Sequence, residues 1–176
     1  TQIGFKSAHW MDNDGLIGHR ILKAKSQNLT LLHYLTSYDA ITQMDVVPFA
    51  SNKICYYPQV EDLDQLYEEN KDALFILNTR NIFDHVRSFE KWRKGTFADI
   101  IHRECPHLFV NTTGVTISEK MASLIVNHNE KIRNFFNARP EAKFMEFKLD
   151  TDSGESFKKY IDTKNVPFPH SNKSIK

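Results

Sequence analysis

Arg80 and Ser88 stand eight residues apart, one just after an apolar run and the other inside an amphipathic one. Read as Phe75-Ile76-Leu77-Asn78-Thr79-Arg80-Asn81-Ile82-Phe83-Asp84-His85-Val86-Arg87-Ser88-Phe89, the segment is a strand, a short turn and a helix. Asn81 can cap that helix, whose first-turn amides and dipole favour an anion. Eight residues are about two helical turns. A guanidinium fork at the strand end and a hydroxyl on the helix could then close on one phosphate. The plainer alternative is a surface Arg80 paired with Asp84 and a Ser88 that the helix merely tolerates. At 100° per residue Ser88 falls between the apolar stripe of Val86 and Phe89 and the charged face of Asp84 and Arg87, so its hydroxyl is expected to face a cleft.

The elements that must carry this segment follow from periodicity. Ala73 to Leu77 reads as a central strand buried on both faces. Asn81 to Lys94 keeps the 3.6 period, and Phe97 to Arg103 adds a further turn or two. Ser118 to Ala138 is the longest helix, with Ser118 as its cap and no complete capping box. Lys143 to Leu149 alternates as a strand, and Ser153 to Thr163 is a last helix. Upstream, Phe5 to Trp10 is a short strand and Asp12-Asn13-Asp14-Gly15 is turn and N-cap chemistry before a helix with Leu16, Ile17, Ile21 and Leu22. Thr30 caps a short helix, Ala40 to Val47 is a strand ending at Pro48, and Glu61 to Asn70 is an amphipathic helix. Strands alternating with helices predict one α/β domain over residues 1–176, three layers with a mostly parallel central sheet, and a ligand at the strands' carboxyl ends.

Composition narrows the function. The chain has 176 residues, 23 Lys and Arg against 22 Asp and Glu, and a net charge of +1, which excludes a broad basic face for duplex nucleic acid. Hydrophobic content of 40% is enough for a packed core. The apolar runs are too short to span a membrane. No charged and apolar leader is visible, although Thr1 opens the chain as if in mid-element. Cys55 and Cys105 make no disulfide framework and no metal knuckle, so a reducing compartment, the cytoplasm, is the expectation. His102, Cys105 and His107 lack a fourth zinc ligand. Asn28-Leu29-Thr30, Asn111-Thr112-Thr113 and Asn172-Lys173-Ser174 are glycosylation-type triplets that mean nothing without secretion.

The stretch from Phe75 to Phe89 resembles the 3′-phosphate-binding segment of sulfotransferases, which use 3′-phosphoadenylyl sulfate as donor. Arg80, Asn81 and Ser88 match the family's pattern; Ile82 stands where the family usually has Pro. Gly4 to Trp10, Tyr38 to Asp45 and Pro167 to Lys173 are similar in order and type to small bacterial or protist-like members. The resemblance implies a P-loop nucleotide hydrolase-like fold and sulfuryl transfer to an unknown hydroxyl or amine acceptor, with no metal. It implies contacts from Arg80, Ser88 and Lys173 to the donor or to its product, adenosine 3′,5′-bisphosphate. Asp45, at the carboxyl end of the preceding strand, is the implied base, with His9 as the alternative. The plainer readings are a turn-capping Asp45, a packed His9 and a solvated Lys173. The family's first strand and phosphosulfate loop have no match here. Gly4-Phe5-Lys6-Ser7 lacks a second Gly and a following helix, so it is not that loop, which is expected either upstream of Thr1 or lost from the domain. A chain without the loop would be an inactive nucleotide- or protein-binding module.

Overall fold

Ala8 is buried between exposed Ser7 and His9, the alternation of a strand with one face inward. In the computed structural model, which describes residues 4–48, 53–152 and 154–162, this is β1 (Ser7–His9). A tight hairpin of β2 (Met11–Asp12) and β3 (Gly15–Leu16) follows and runs into helix α1 (Ile17–Ser26). β4 (Ala40–Thr42) lies parallel to β1, with Ser7 opposite Ala40 and His9 opposite Thr42. Helices α2 (Pro58–Glu61) and α3 (Leu63–Glu69) lead to β5 (Phe75–Thr79). After β5 come α4 (Ile82–Lys91), α5 (Phe97–Glu104) and α6 (Ile117–Asn137), and then β6 (Phe144–Lys148), parallel to β5 over five residue pairs.

The fold is therefore mixed α/β with short parallel sheets. Among the described residues the strands form three two-stranded ladders, β1–β4, β2–β3 and β5–β6, where one continuous central sheet was expected. β5 is correspondingly not buried on both faces: Leu77 and Thr79 point inward, while Ile76 and Asn78 are exposed. Several boundaries also shift. β4 stops at Thr42, and the chain beyond it makes only an isolated bridge between Val46 and Tyr56. The expected helix from Glu61 splits at Asp62 into α2 and α3. The segments after Thr30 and around Glu155–Lys159 are single 3₁₀ turns.

Two caps differ from the expectation for a physical reason. Asp12 does not cap α1, because its oxygens are taken by the Asp14 N–H at 2.9 Å, the Tyr38 hydroxyl at 2.6 Å and the Arg20 guanidinium. Leu16 occupies the cap position without a side-chain bond. At α6 the cap is Thr116, not Ser118. Its hydroxyl accepts from the Glu119 N–H, and the Glu119 carboxylate accepts the Thr116 N–H, a complete capping box. Glu119 is held ionised by these backbone bonds, its carboxyl pulled below the usual range.

Three apolar clusters hold the elements. Ile17, Ile21, Leu31 and Leu35 pack around Ala8 and Val46. Phe97, Ile101, Phe109 and Met121 join α5 to α6. Tyr67, Leu77, Ile132 and Phe136 tie β5 to α3 and α6. The side chain of Phe75 touches the first and third clusters. The second cluster contains the largest correction to the sequence reading: Cys55 and Cys105 form a disulfide across 50 residues, with Cα atoms 5.7 Å apart. Cys105 is fully buried there. The expectation of a reducing compartment rested on free cysteines, and this pair removes that support.

Beneath the β5–β6 ladder, Glu146 accepts two bonds from Arg133, at 2.9 and 2.7 Å, and one from the buried Thr79 hydroxyl at 2.9 Å. These bonds hold the Glu146 carboxyl down at about 2, well under its ordinary 4.5. A depressed carboxylate stabilises the fold fully above its unfolded value, and that contribution disappears as pH falls from about 4.5 toward 2. With Arg133 partly exposed, the loss is expected to be about 1–3 kcal/mol. Urea unfolding of wild type and Glu146→Gln at pH 7 and near pH 3 measures it: the variant should show the smaller change between the two pH values.

Candidate functional site

Arg80 follows the last residue of β5, at the carboxyl end of the β5–β6 pair. It is half-buried, and its Nε hydrogen-bonds to no protein group although the atom is hidden from solvent. A buried donor of this kind is costly unless something accepts from it. Asn81 caps α4 as the sequence predicts: its side-chain oxygen accepts from the Phe83 N–H at 2.9 Å and from the Asp84 N–H at 3.4 Å. Arg80 therefore meets the electropositive start of a ten-residue helix.

Two neighbours of Arg80 were not singled out from the sequence. His85, one turn into α4, is partly buried; burial and then the Arg80 cation hold its imidazole below the ordinary value, so it is neutral at pH 7. Its ring stacks on Phe89 at 5.4 Å, and Phe89 stacks on Phe97 at 5.5 Å, which fixes α4 against the second cluster. Asp150, just past β6, accepts the Asn81 N–H and acts electrostatically on His85. A carboxylate thus sits where an anionic ligand would compete for the same amide. His85 lies inside the Phe75–Phe89 segment and was visible there. Asp150 could be found only through the β5–β6 register, which sets Thr79 opposite Lys148.

Ser88 corrects the sequence reading. Val86 and Phe89 do pack inward on the second cluster, but Ser88 is exposed on α4. Its angular offset of about 200° from Val86 carries it past the buried stripe. The alternative pairing of Asp84 is with Arg87, at 3.9 Å, and not with Arg80. Lys173 lies outside the described residues.

The other rim is formed by β1 and β4. The parallel register sets His9 beside Thr42, whose hydroxyl oxygen is 2.9 Å from the imidazole Nδ1. Asp45, three residues past β4, is half-buried. Desolvation raises its carboxyl above the ordinary 3.8, opposed by a backbone hydrogen bond and by the charge of His9. Tyr57 shares this environment: burial first and the Asp45 charge second push its phenol upward. The structure thus brings the two candidate bases, Asp45 and His9, into one electrostatic group and adds Tyr57, which the sequence reading did not select. Gly18 in α1 lets the helix lie directly on this segment. A Cβ at Gly18 would fall 2.5 Å from the Met44 carbonyl oxygen and 2.9 Å from the Asp45 carbonyl carbon. No described contact joins this group to Arg80.

Among the described residues no cluster of His, Cys, Asp or Glu is arranged to hold a metal ion. Cys105 is bonded to Cys55, so it offers no thiolate to His102 or His107. No described helix is long and apolar enough to cross a membrane. Comparison with family models, with curated proteins and with solved structures finds no match to this chain.

Proposed function

We propose that this domain binds a 3′-phosphorylated adenine nucleotide at Arg80 and belongs to a sulfotransferase that moves a sulfuryl group from 3′-phosphoadenylyl sulfate to a hydroxyl or amine. The observation that carries the reading is the unpartnered Arg80 Nε at the strand's carboxyl end, beside the capped start of α4. An anionic oxygen is the natural acceptor for the guanidinium, and the dipole of α4 favours it although the first amides are already bonded to Asn81 and Asp150. The proposed architecture is the three-layer P-loop type, with the phosphosulfate-gripping loop supplied by chain outside the described residues.

In such a transfer the sulfur–oxygen bond to the donor's phosphate breaks as the acceptor oxygen bonds sulfur. Charge rests on the non-bridging oxygens, so positioned cations dominate catalysis. The acceptor proton must leave, and Asp45 is the proposed base, with His9 beside it. Desolvation makes Asp45 a stronger base than a solvated carboxylate. Lys173 is proposed as a further donor to the nucleotide. A second reading, a nucleotide-binding module without catalysis, shares the Arg80 contact and lacks turnover.

Calorimetric titration with adenosine 3′,5′-bisphosphate tests the site. Arg80→Ala should weaken binding by roughly 1.5–3 kcal/mol, the worth of a charge-assisted contact. Asp150→Asn, which removes the competing carboxylate, should tighten it. Unchanged affinity in Arg80→Ala would overturn the assignment.

A further inference from the structure

The disulfide and two surface asparagines point in one direction. A Cys55–Cys105 bond persists in an oxidising compartment and is rare in a reducing one. Oxidising lumens that form such bonds also attach glycans to Asn in Asn-x-Ser/Thr triplets where x is not Pro. Two complete triplets fall in the described residues: Asn28-Leu29-Thr30 and Asn111-Thr112-Thr113.

Both are placed where a glycan fits the folded chain. Asn28 is exposed just beyond α1, with φ of 54°, a left-handed residue closing the helix. Its N–H bonds the Lys25 carbonyl at 3.1 Å and the following Leu29 N–H reaches back to Ala24 at 3.0 Å, so the backbone is fixed without its side chain. Asn111 is exposed in the turn before α6. Its backbone carbonyl accepts from the Asn127 side chain at 2.9 Å, which again holds the turn by main-chain atoms. Neighbouring Val110 is 76% exposed, an apolar surface that a glycan would cover.

We propose that Asn28 and Asn111 are N-glycosylation sites of this protein. The amide Nδ2 bonds the anomeric carbon of a lipid-linked diphospho-oligosaccharide. The anomeric carbon–oxygen bond breaks, the lipid diphosphate leaves with the electron pair, and Nδ2 loses one proton. The inference does not depend on the nucleotide reading.

The test is peptide mapping of the full protein isolated from its native source, without reduction. Treatment with peptide N-glycosidase in heavy-oxygen water should convert Asn28 and Asn111 to heavy-oxygen Asp, and the Cys55 and Cys105 peptides should be recovered linked. Thr30→Ala, which keeps Asn28 but breaks the triplet, should abolish labelling at Asn28 alone. Recovery of both asparagines unmodified before treatment overturns the proposal, whether or not the cysteines are linked. Labelling at one position alone supports that site and overturns the other.

Discussion

With Asp45 as the proposed base, Asp45→Asn is expected to lower turnover by roughly 10²–10⁴ while nucleotide binding stays intact, because the amide keeps the shape and loses the basic oxygen pair. The measurement is sulfuryl transfer by the full protein to its acceptor, alongside calorimetric titration of the nucleotide. The sign of the pH dependence also follows. Burial holds the Asp45 carboxyl above 3.8, and only its ionised form accepts a proton. Activity should therefore fall on an acid limb that lies above the ordinary carboxylate range. His9 opposes that upward shift, so His9→Ala should move the acid limb further up. Near-normal turnover in Asp45→Asn would transfer the role to His9. Loss of nucleotide affinity along with turnover would mark Asp45 as structural.

Breaking the disulfide should produce the largest loss of stability. The bond closes a loop of 50 residues, for which chain entropy gives about 4 kcal/mol at 25 °C. Cys105 adds the constraint of complete burial, so a serine there would place a hydroxyl in an apolar cluster. Cys55→Ala/Cys105→Ala is the cleaner variant. Its denaturant midpoint should fall to that of reduced wild type, by about 2–5 kcal/mol of unfolding free energy. Addition of reductant to the double variant should then change nothing.

How much could be read beforehand depended on how local each signal is. β5, α4 and the Asn81 cap were legible because an apolar run, a capping residue and a 3.6-residue period adjoin one another in sequence. The α6 capping box was equally legible as Thr116-x-x-Glu119, and choosing Ser118 missed it by two residues. The disulfide carries no such signal: two cysteines 50 residues apart imply nothing until α5 and the segment after Val47 pack together. Asp45 could be picked out as an acid near a strand end. That His9 acts electrostatically on it depends on the parallel β1–β4 register, which joins residues 33 positions apart, as at His9 and Thr42. The exposure of Ser88 turned on whether the helix buries one stripe or two. Only the stripe of Val86 and Phe89 finds a partner.

Both strands of the β1–β4 ladder are left through a residue that ordinarily avoids the conformation it adopts. Trp10, the first residue after β1, has φ of 56°, and Gln43, the first after β4, has φ of 52°. Neither is a glycine, and each such residue carries a conformational cost of about 1 kcal/mol or more. The His9–Thr42 register puts the two kinks side by side, so the chain turns out of the sheet twice at the same level. Glycine at either position would relieve the φ cost but would lose more chain entropy on folding, and at Trp10 it would also remove a partly buried ring. The two kinks therefore lock the exits of β1 and β4 at one level, and both must be undone together if this ladder is to open.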